Sequence, residues 1–414
     1  MHSSEEKALA PRIRFAGFTD AWEQRRLGDV AEIVGGGTPD TGNPNFWDGE
    51  IDWYSPAELG ERVYADGSVR RITEKGFANC SAKMLPAGRT ILFTSRAGIG
   101  NTAILRRSAC TNQGFQSIVI KDGVNVYFLY SMSGSIKRGA EEKASGSTFL
   151  EISGKQLSTI DIAVPQAPEQ RKIGALFSRL DDLIALHQRK CDGLKTVKKS
   201  LLEKMFPRDG ETSPEVRFVG FTDAWEQRRL RDVAHSFEYG LNAAAMPYDG
   251  KVKYLRITDI DDETREFRQD DVTSPDAPDS QIGPCLLSEG DLLFARTGAS
   301  VGKTYRYQRK DGVTAFAGFL IRAIPNSDVG SSFLYQSTLT EGYKRYIDVT
   351  SQRSGQPGVN AAEYSQWELM VPRGPEQRRI GALFSRLDDL IALHQRKLDA
   401  LKNVKKSLLE GMFV

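Results

Sequence analysis

The ten residues FTDAWEQRRL occur at 18–27 and again, unchanged, at 221–230. The likeness extends outwards, and residues 13–31 match 216–234 at 16 of 19 positions. A longer pair follows, in which residues 168–206 match 375–413 at 34 of 39. The offsets are 203 and 207, so both halves share one layout: short repeat, unlike segment, long repeat. That period is far longer than the roughly 20–45 residues of solenoid units. The chain is therefore two half-proteins with a common frame and different contents, the contents being 32–167 and 235–374. PRDGETSPE at 207–215, with two prolines and a glycine, is the natural linker.

The long repeat reads as a helix. Ile173, Phe177, Leu180, Ile184, His187, Cys191, Leu194, Leu201 and Met205 follow a mostly 3,4 alternation, with Lys198 as a polar member of the seam. The second copy has Ile380, Phe384, Leu387, Ile391, His394, Leu398, Leu401, Leu408 and Met412. A pattern sustained over about five heptads indicates a coiled-coil seam. Each helix begins beside a proline, Pro168 or Pro375, and the first stops at Phe206-Pro207. From 173 to 205 the helix spans roughly 50 Å at about 1.5 Å per residue. The two helices are each other's natural partners, and the short linker predicts that they run antiparallel. The adjacent carboxylates Asp181-Asp182 and Asp388-Asp389 do not face one another on a helix and are expected on a solvated face. His187 and His394 fall on the stripe, as register-setting polar groups rather than ligands.

Chemical motifs are scarce. GASVGKT at 298–304 resembles a phosphate-binding loop, but three residues rather than four separate its glycines, and the following YRYQRK alternates like a strand. No HExxH is present, and the four histidines lack ligand spacing. The expectation is no catalysis and no cofactor in this chain. Cys80, Cys110, Cys191 and Cys285 are scattered, which fits reduced thiols in a cytoplasm. No apolar run is long enough for a membrane span. The formal charge of +2 neither demands nor excludes nucleic acid.

The unlike segments carry β-like runs, RTILFTS and QSIVI in the first, DLLFAR and FLIRAI in the second. One weak match links them: LPAGRTILFTSRAGIGNTA (85–103) with LSEGDLLFARTGASVGKTY (287–305). Each places an arginine, Arg96 or Arg296, just after a strand and before a glycine. Such an arginine either contacts a nucleic-acid groove or fixes its own loop by a salt bridge, and the residues alone leave both open. Two further clusters mix aromatic and polar residues, NFWDGEIDWYSP (45–56) and VKYLRITDI (252–260); core packing is the plainer reading of their aromatics.

This layout resembles the specificity subunits of Type I restriction–modification systems. The resemblance rests on FTDAWEQRRLGDVA, on GGGTPDTGNPNFWDGEIDWYSP and YGLNAAAMPYDGKVKYLRITDIDD as domain openings, on GDLLFARTGASVGKT, and on PEQRKIGALFSRLDDLIALHQRK. It implies an α+β chain: two mixed α/β target-recognition domains joined by two long helices in an antiparallel coiled coil, with a pseudo-twofold internal repeat. The expected segments are 1–167 and 216–374 for the recognition domains, 168–206 and 375–414 for the helices, and 207–215 for the linker. It further implies a non-catalytic subunit that reads a bipartite site in double-stranded DNA, the coil setting the gap. Its partners would be two methyltransferase subunits and, in the full complex, restriction subunits. The candidate DNA-binding residues are Tyr54, Ser95, Arg96 and Asn101 in the first half, and Arg256, Arg296, Thr297, Ser300 and Lys303 in the second. Asn101 stands opposite Lys303, a departure between the two loops. The alternative is a tandem scaffold that binds something other than DNA and dimerises through its coil.

Overall fold

The computed structural model describes residues 9–60, 62–96, 98–145, 150–352 and 356–413. It divides into two compact units, residues 1–186 with 398–414, and residues 187–397. Each unit holds part of both long helices, Ala167–Lys204 and Gly374–Met412.

The first unit is built on a five-stranded sheet. Its order is Ala31–Gly35, Gln116–Ile120, Thr90–Phe93, Thr102–Leu105, Tyr64–Ala65, antiparallel except for the last pair. The central Thr90–Phe93 is buried at all four positions, which is why it reads as a continuous apolar run rather than an alternation. A three-stranded sheet, Arg70–Ile72, Trp47–Tyr54 and Cys110–Thr111, lies beside it in the chain. The second unit has a four-stranded sheet ordered Ala234–Tyr239, Leu320–Pro325, Leu292–Ala295, Thr304–Arg306, and a parallel pair of Lys253–Leu255 with Thr314–Phe316. The strand at 304–306 meets the expectation for YRYQRK: GASVGKT leads into a strand, not a helix, and so lacks the setting of a phosphate loop.

The repeats build the same frame in each unit. EQRR forms a strand, Glu23–Arg26 against Asp161–Val164 and Glu226–Arg229 against Glu368–Val371. Arg14 grips Glu169 through two hydrogen bonds of 2.7 and 2.8 Å, and Arg217 grips Glu376 at the same distances. Both glutamates are 1% exposed, so each carboxylate requires that bidentate partner. Ile13 N donates to Gly411 O at 2.8 Å, and Val216 N to Lys204 O at 2.9 Å. Trp22, Phe128, Phe177 and Phe413 form one ring cluster, Trp225, Phe333, Phe384 and Phe206 the other. In the first unit the end of the second helix completes the core, and in the second unit the end of the first helix does so.

Within each unit the helix portions run antiparallel. Phe177 meets Phe413 while Asp181 meets Lys405, and Lys198 meets Asp388 while Phe206 meets Phe384. The expectation of solvated carboxylates fails at one member of each aspartate pair. Asp181 is 7% exposed, accepts from the Tyr127 hydroxyl at 2.6 Å and pairs with Lys405 at 2.5 Å. Asp388 accepts from Gln336 Nε2 at 2.8 Å and pairs with Lys198 at 2.5 Å. Asp182 and Asp389 are exposed as expected. The reason is geometric: antiparallel pairing sets the seam lysine of one copy opposite the first aspartate of the other.

The two seam histidines meet in the second unit, Nδ1 to Nδ1 at 2.9 Å, with ring centroids 5.1 Å apart. Burial, the neighbouring His187 and the Lys190 and Lys397 ammoniums hold His394 below its ordinary pKa. The unfolded chain therefore takes up this proton first. Stability from the contact is complete above about pH 6.5, the ordinary histidine value, and is lost as pH falls towards the depressed folded value. Urea unfolding at pH 7.5 and 5.5 should show a larger loss of midpoint for the wild type than for His394→Gln.

Candidate functional site

The two strand-end loops occupy corresponding places in their sheets. Thr94 N donates to Asn101 O at 3.0 Å and Gly100 N to Thr94 O at 2.9 Å. In the second unit Ala295 N donates to Lys303 O at 2.8 Å and Gly302 N to Ala295 O at 3.0 Å. Gly100 and Gly302, at φ 86° and 81°, turn the chain in the left-handed region. These bonds align Thr94 with Ala295, and so Ser95 with Arg296. The next contacts agree, since the Ser95 carbonyl accepts from Ile152 N and the Arg296 carbonyl from Val359 N. Arg96 thus corresponds to Thr297, and the second loop is one residue longer. The shared placement suggested by matching letters is displaced by one position, because hydrogen-bond register and not letter identity fixes a strand end.

Exposure separates the candidates. Ser95 is fully buried, and Tyr54 is 2% exposed, with burial pushing its hydroxyl pKa up to about 12. Lys303 is also buried; its ammonium donates to Ile260 O at 3.0 Å and pairs with Asp262 at 2.5 Å, which lowers the Asp262 pKa. Asn101 is exposed, and Arg96, Arg256, Arg296, Thr297 and Ser300 are half-buried. Arg256 binds the Asp259 carboxylate through Nε and Nη2, both at 2.9 Å. This unit-two pair occupies the place of Ser55 and Glu58 in the first, where Ser55 N donates to Glu58 at 3.0 Å. The Arg296 guanidinium lies 4.9 Å from the Tyr239 ring centre, within cation–π range.

Several surface features lie outside the predicted set of contact residues. Arg70 stacks 3.7 Å above Trp47, and Arg71 and Arg107 flank the buried Asp52 at 3.2 and 3.8 Å. Phe319 is 60% and Tyr239 45% exposed. On the coil, Leu183, Leu186 and Val404 are 43, 39 and 48% exposed in the first unit. Their repeat mates Leu390, Leu393 and Val197 have the same exposures in the second. Helical periodicity and antiparallel pairing put each trio on one side of its seam. The 3.6-residue period signals such a stripe, but only the partner helix decides which flank stays open.

Among the described residues, no group of three or more His, Cys, Asp or Glu is placed to hold a metal, no cysteine is in a disulfide, and no helix is long and apolar enough to cross a membrane. A duplicated frame that carries two different sheet domains defines a paired recognition scaffold. The model of the Type I restriction modification DNA specificity domain matches residues 19–196 and 222–403. The chain belongs to that family. The MjaIX specificity subunit of Methanocaldococcus jannaschii, a Type I restriction enzyme component, is 27% identical over 409 residues, covering 94% of this chain and 91% of that one. The EcoR124I/EcoR124II specificity subunit of Escherichia coli is 31% identical over 170 residues, 39% of this chain and 41% of that one. The fold is similar to the S subunit of a Type I restriction–modification system from M. genitalium, with a TM-score of 0.66, 16% identity, and coverage of 98% and 99%.

Proposed function

We propose that this chain is the specificity subunit of a Type I restriction–modification complex and reads a bipartite double-stranded DNA target, one sheet domain per half-site. The observation that carries this is the duplicated frame around unlike domains. Residues common to both halves cannot distinguish two half-sites, so discrimination belongs to 32–167 and 235–374. The common parts suit two copies of one partner, and the repeated leucine–leucine–valine trios are its docking surface. That partner is a methyltransferase subunit acting on adenine, and restriction subunits join the complete cytoplasmic complex. Adenine methylation and DNA cleavage reside in those partners. Arg96, Asn101, Arg256, Arg296, Thr297 and Ser300 present polar groups to the duplex. Ser95, Tyr54 and Lys303 are left out of this contact set because their side chains are buried and, for Lys303, held within the domain. Phosphate contacts supply a salt-dependent share of affinity and base contacts supply the choice of sequence.

The test is an exchange of 32–167 for the corresponding segment of a relative, with the methyltransferase partner supplied and the methylome sequenced. One half of the methylated motif should change while the other half and the spacing persist. A change in both halves, or in spacing alone, would contradict independent readers.

A further inference from the structure

Residues 317–319 turn the chain between the strands Thr314–Phe316 and Leu320–Pro325, and their backbone is tied down on three sides. Gly318 N donates to Leu241 O at 2.8 Å, Leu320 N to Ala317 O at 2.9 Å, and Arg296 N to Phe319 O at 3.1 Å. The phenyl ring of Phe319 nonetheless stands 60% exposed, whereas Phe294, Phe316 and Phe333 of the same unit are fully buried. A lone exposed apolar side chain is ordinary on a protein surface. What sets this one apart is its fixed backbone and its partner Arg296, whose backbone N–H donates to the Phe319 carbonyl and whose guanidinium lies 4.9 Å from the Tyr239 ring centre.

The first unit cannot offer the same feature. Thr94 bridges Phe115 where Ala295 pairs with Leu320, so Gly114 occupies the place of Phe319. A Cβ on Gly114 would lie 2.7 Å from Pro56 Cγ and 3.0 Å from the Asn112 Oδ1. The ring therefore belongs to whatever distinguishes the second reader from the first.

We propose that Phe319 is a specificity-determining residue of the second domain, its ring contacting the 5-methyl group of a thymine in the major groove beside the base edge addressed by Arg296. The inference rests on the DNA-reading role proposed above for this domain. The thymine methyl is the one apolar group on the major-groove edge of a base pair. A ring on a fixed backbone has two side-chain torsions to immobilise, so ordering it costs little. An arginine stacked on an aromatic face keeps its donor fork available for a guanine or phosphate next to that contact.

The experiment uses the full chain with its methyltransferase partner on duplexes carrying the methylated motif. Each thymine of the half-site read by the second domain is replaced in turn by deoxyuridine, which removes only the methyl group. The wild type should bind about four-fold more weakly at one position, the value of roughly one buried methyl-sized group. Phe319→Ala should bind the thymine and deoxyuridine duplexes equally there, with the first half-site unaffected and an unchanged melting temperature. Equal thymine preference in wild type and Phe319→Ala, or no deoxyuridine effect in the wild type, overturns the inference. Arg296→Ala separates the two levels of failure. If it relaxes the second half-site while Phe319→Ala is silent, the domain reads DNA without this ring. If neither variant alters that half-site and the exchange of 235–374 does not either, the reading role itself fails.

Discussion

Lys405→Met is expected to destabilise the first unit by about 3–5 kcal/mol, the usual cost of removing one partner from a buried ion pair. The Asp181 side chain is 6% exposed and would keep only the Tyr127 hydroxyl as a donor. A carboxylate in that position either stays charged without its counter-ion or takes up a proton, and both weaken the fold. The repeat-equivalent Lys198→Met should cost clearly less, since the Asp388 side chain is 30% exposed and water can replace the ammonium. The double variant Asp181→Asn/Lys405→Met should recover much of the loss, because no buried charge then lacks a partner. Denaturant unfolding of the four proteins measures all of this. Equal and small effects of Lys405→Met and Lys198→Met would show that these pairs do not set the orientation of the helices.

The second large effect concerns the first half alone. Residues 1–207 are expected to form a twofold homodimer whose methylation target, with the partner present, is a palindrome of the first half-site. The contacts within each unit show why the copy is acceptable. Asp181 would meet Lys198 of its mate, the same residue types as the Asp181–Lys405 and Lys198–Asp388 pairs. Phe206 would take the place that Phe413 holds among Trp22, Phe128 and Phe177. An antiparallel pair of near-identical helices is self-complementary, as a twofold interface must be. The weak point is Leu398, 1% exposed, which would be replaced by a second copy of the fully buried Cys191. That large-to-small change costs about 2–5 kcal/mol in a packed site, so the homodimer should be weaker than the native pairing. Cys191→Leu should tighten it. Light scattering reports the mass and the methylome reports the motif. A fragment that stays monomeric at tens of micromolar, with and without Cys191→Leu, would defeat the prediction.

The antiparallel partnership of the helices was legible from the short linker between the halves; duplication, the two long helices and the main strands were legible for a common reason. Each leaves a local periodic or repeated trace: the 3,4 spacing from Ile173 to Met205, the apolar runs at Thr90–Phe93 and Leu292–Ala295. The failure of GASVGKT as a phosphate loop was legible too, from its spacing and the alternation after it. The partners of polar groups were not. Asp181 and Asp182 are neighbours in sequence, yet one is buried against Lys405 and Tyr127 and the other is in water, a distinction made by residues 224 and 54 positions away. The alignment of the strand-end loops was decided by backbone hydrogen bonds, which put Arg296 in the place of Ser95 and not of Arg96. Burial of Lys303 against Ile260, and exposure of Phe319 at the place that Gly114 takes in the first unit, were decided in the same way. Sequence determines what a segment tends to form, because propensity and periodicity act over a few residues. Which face of it meets water is a sum over distant neighbours, and only the packed tertiary structure evaluates that sum.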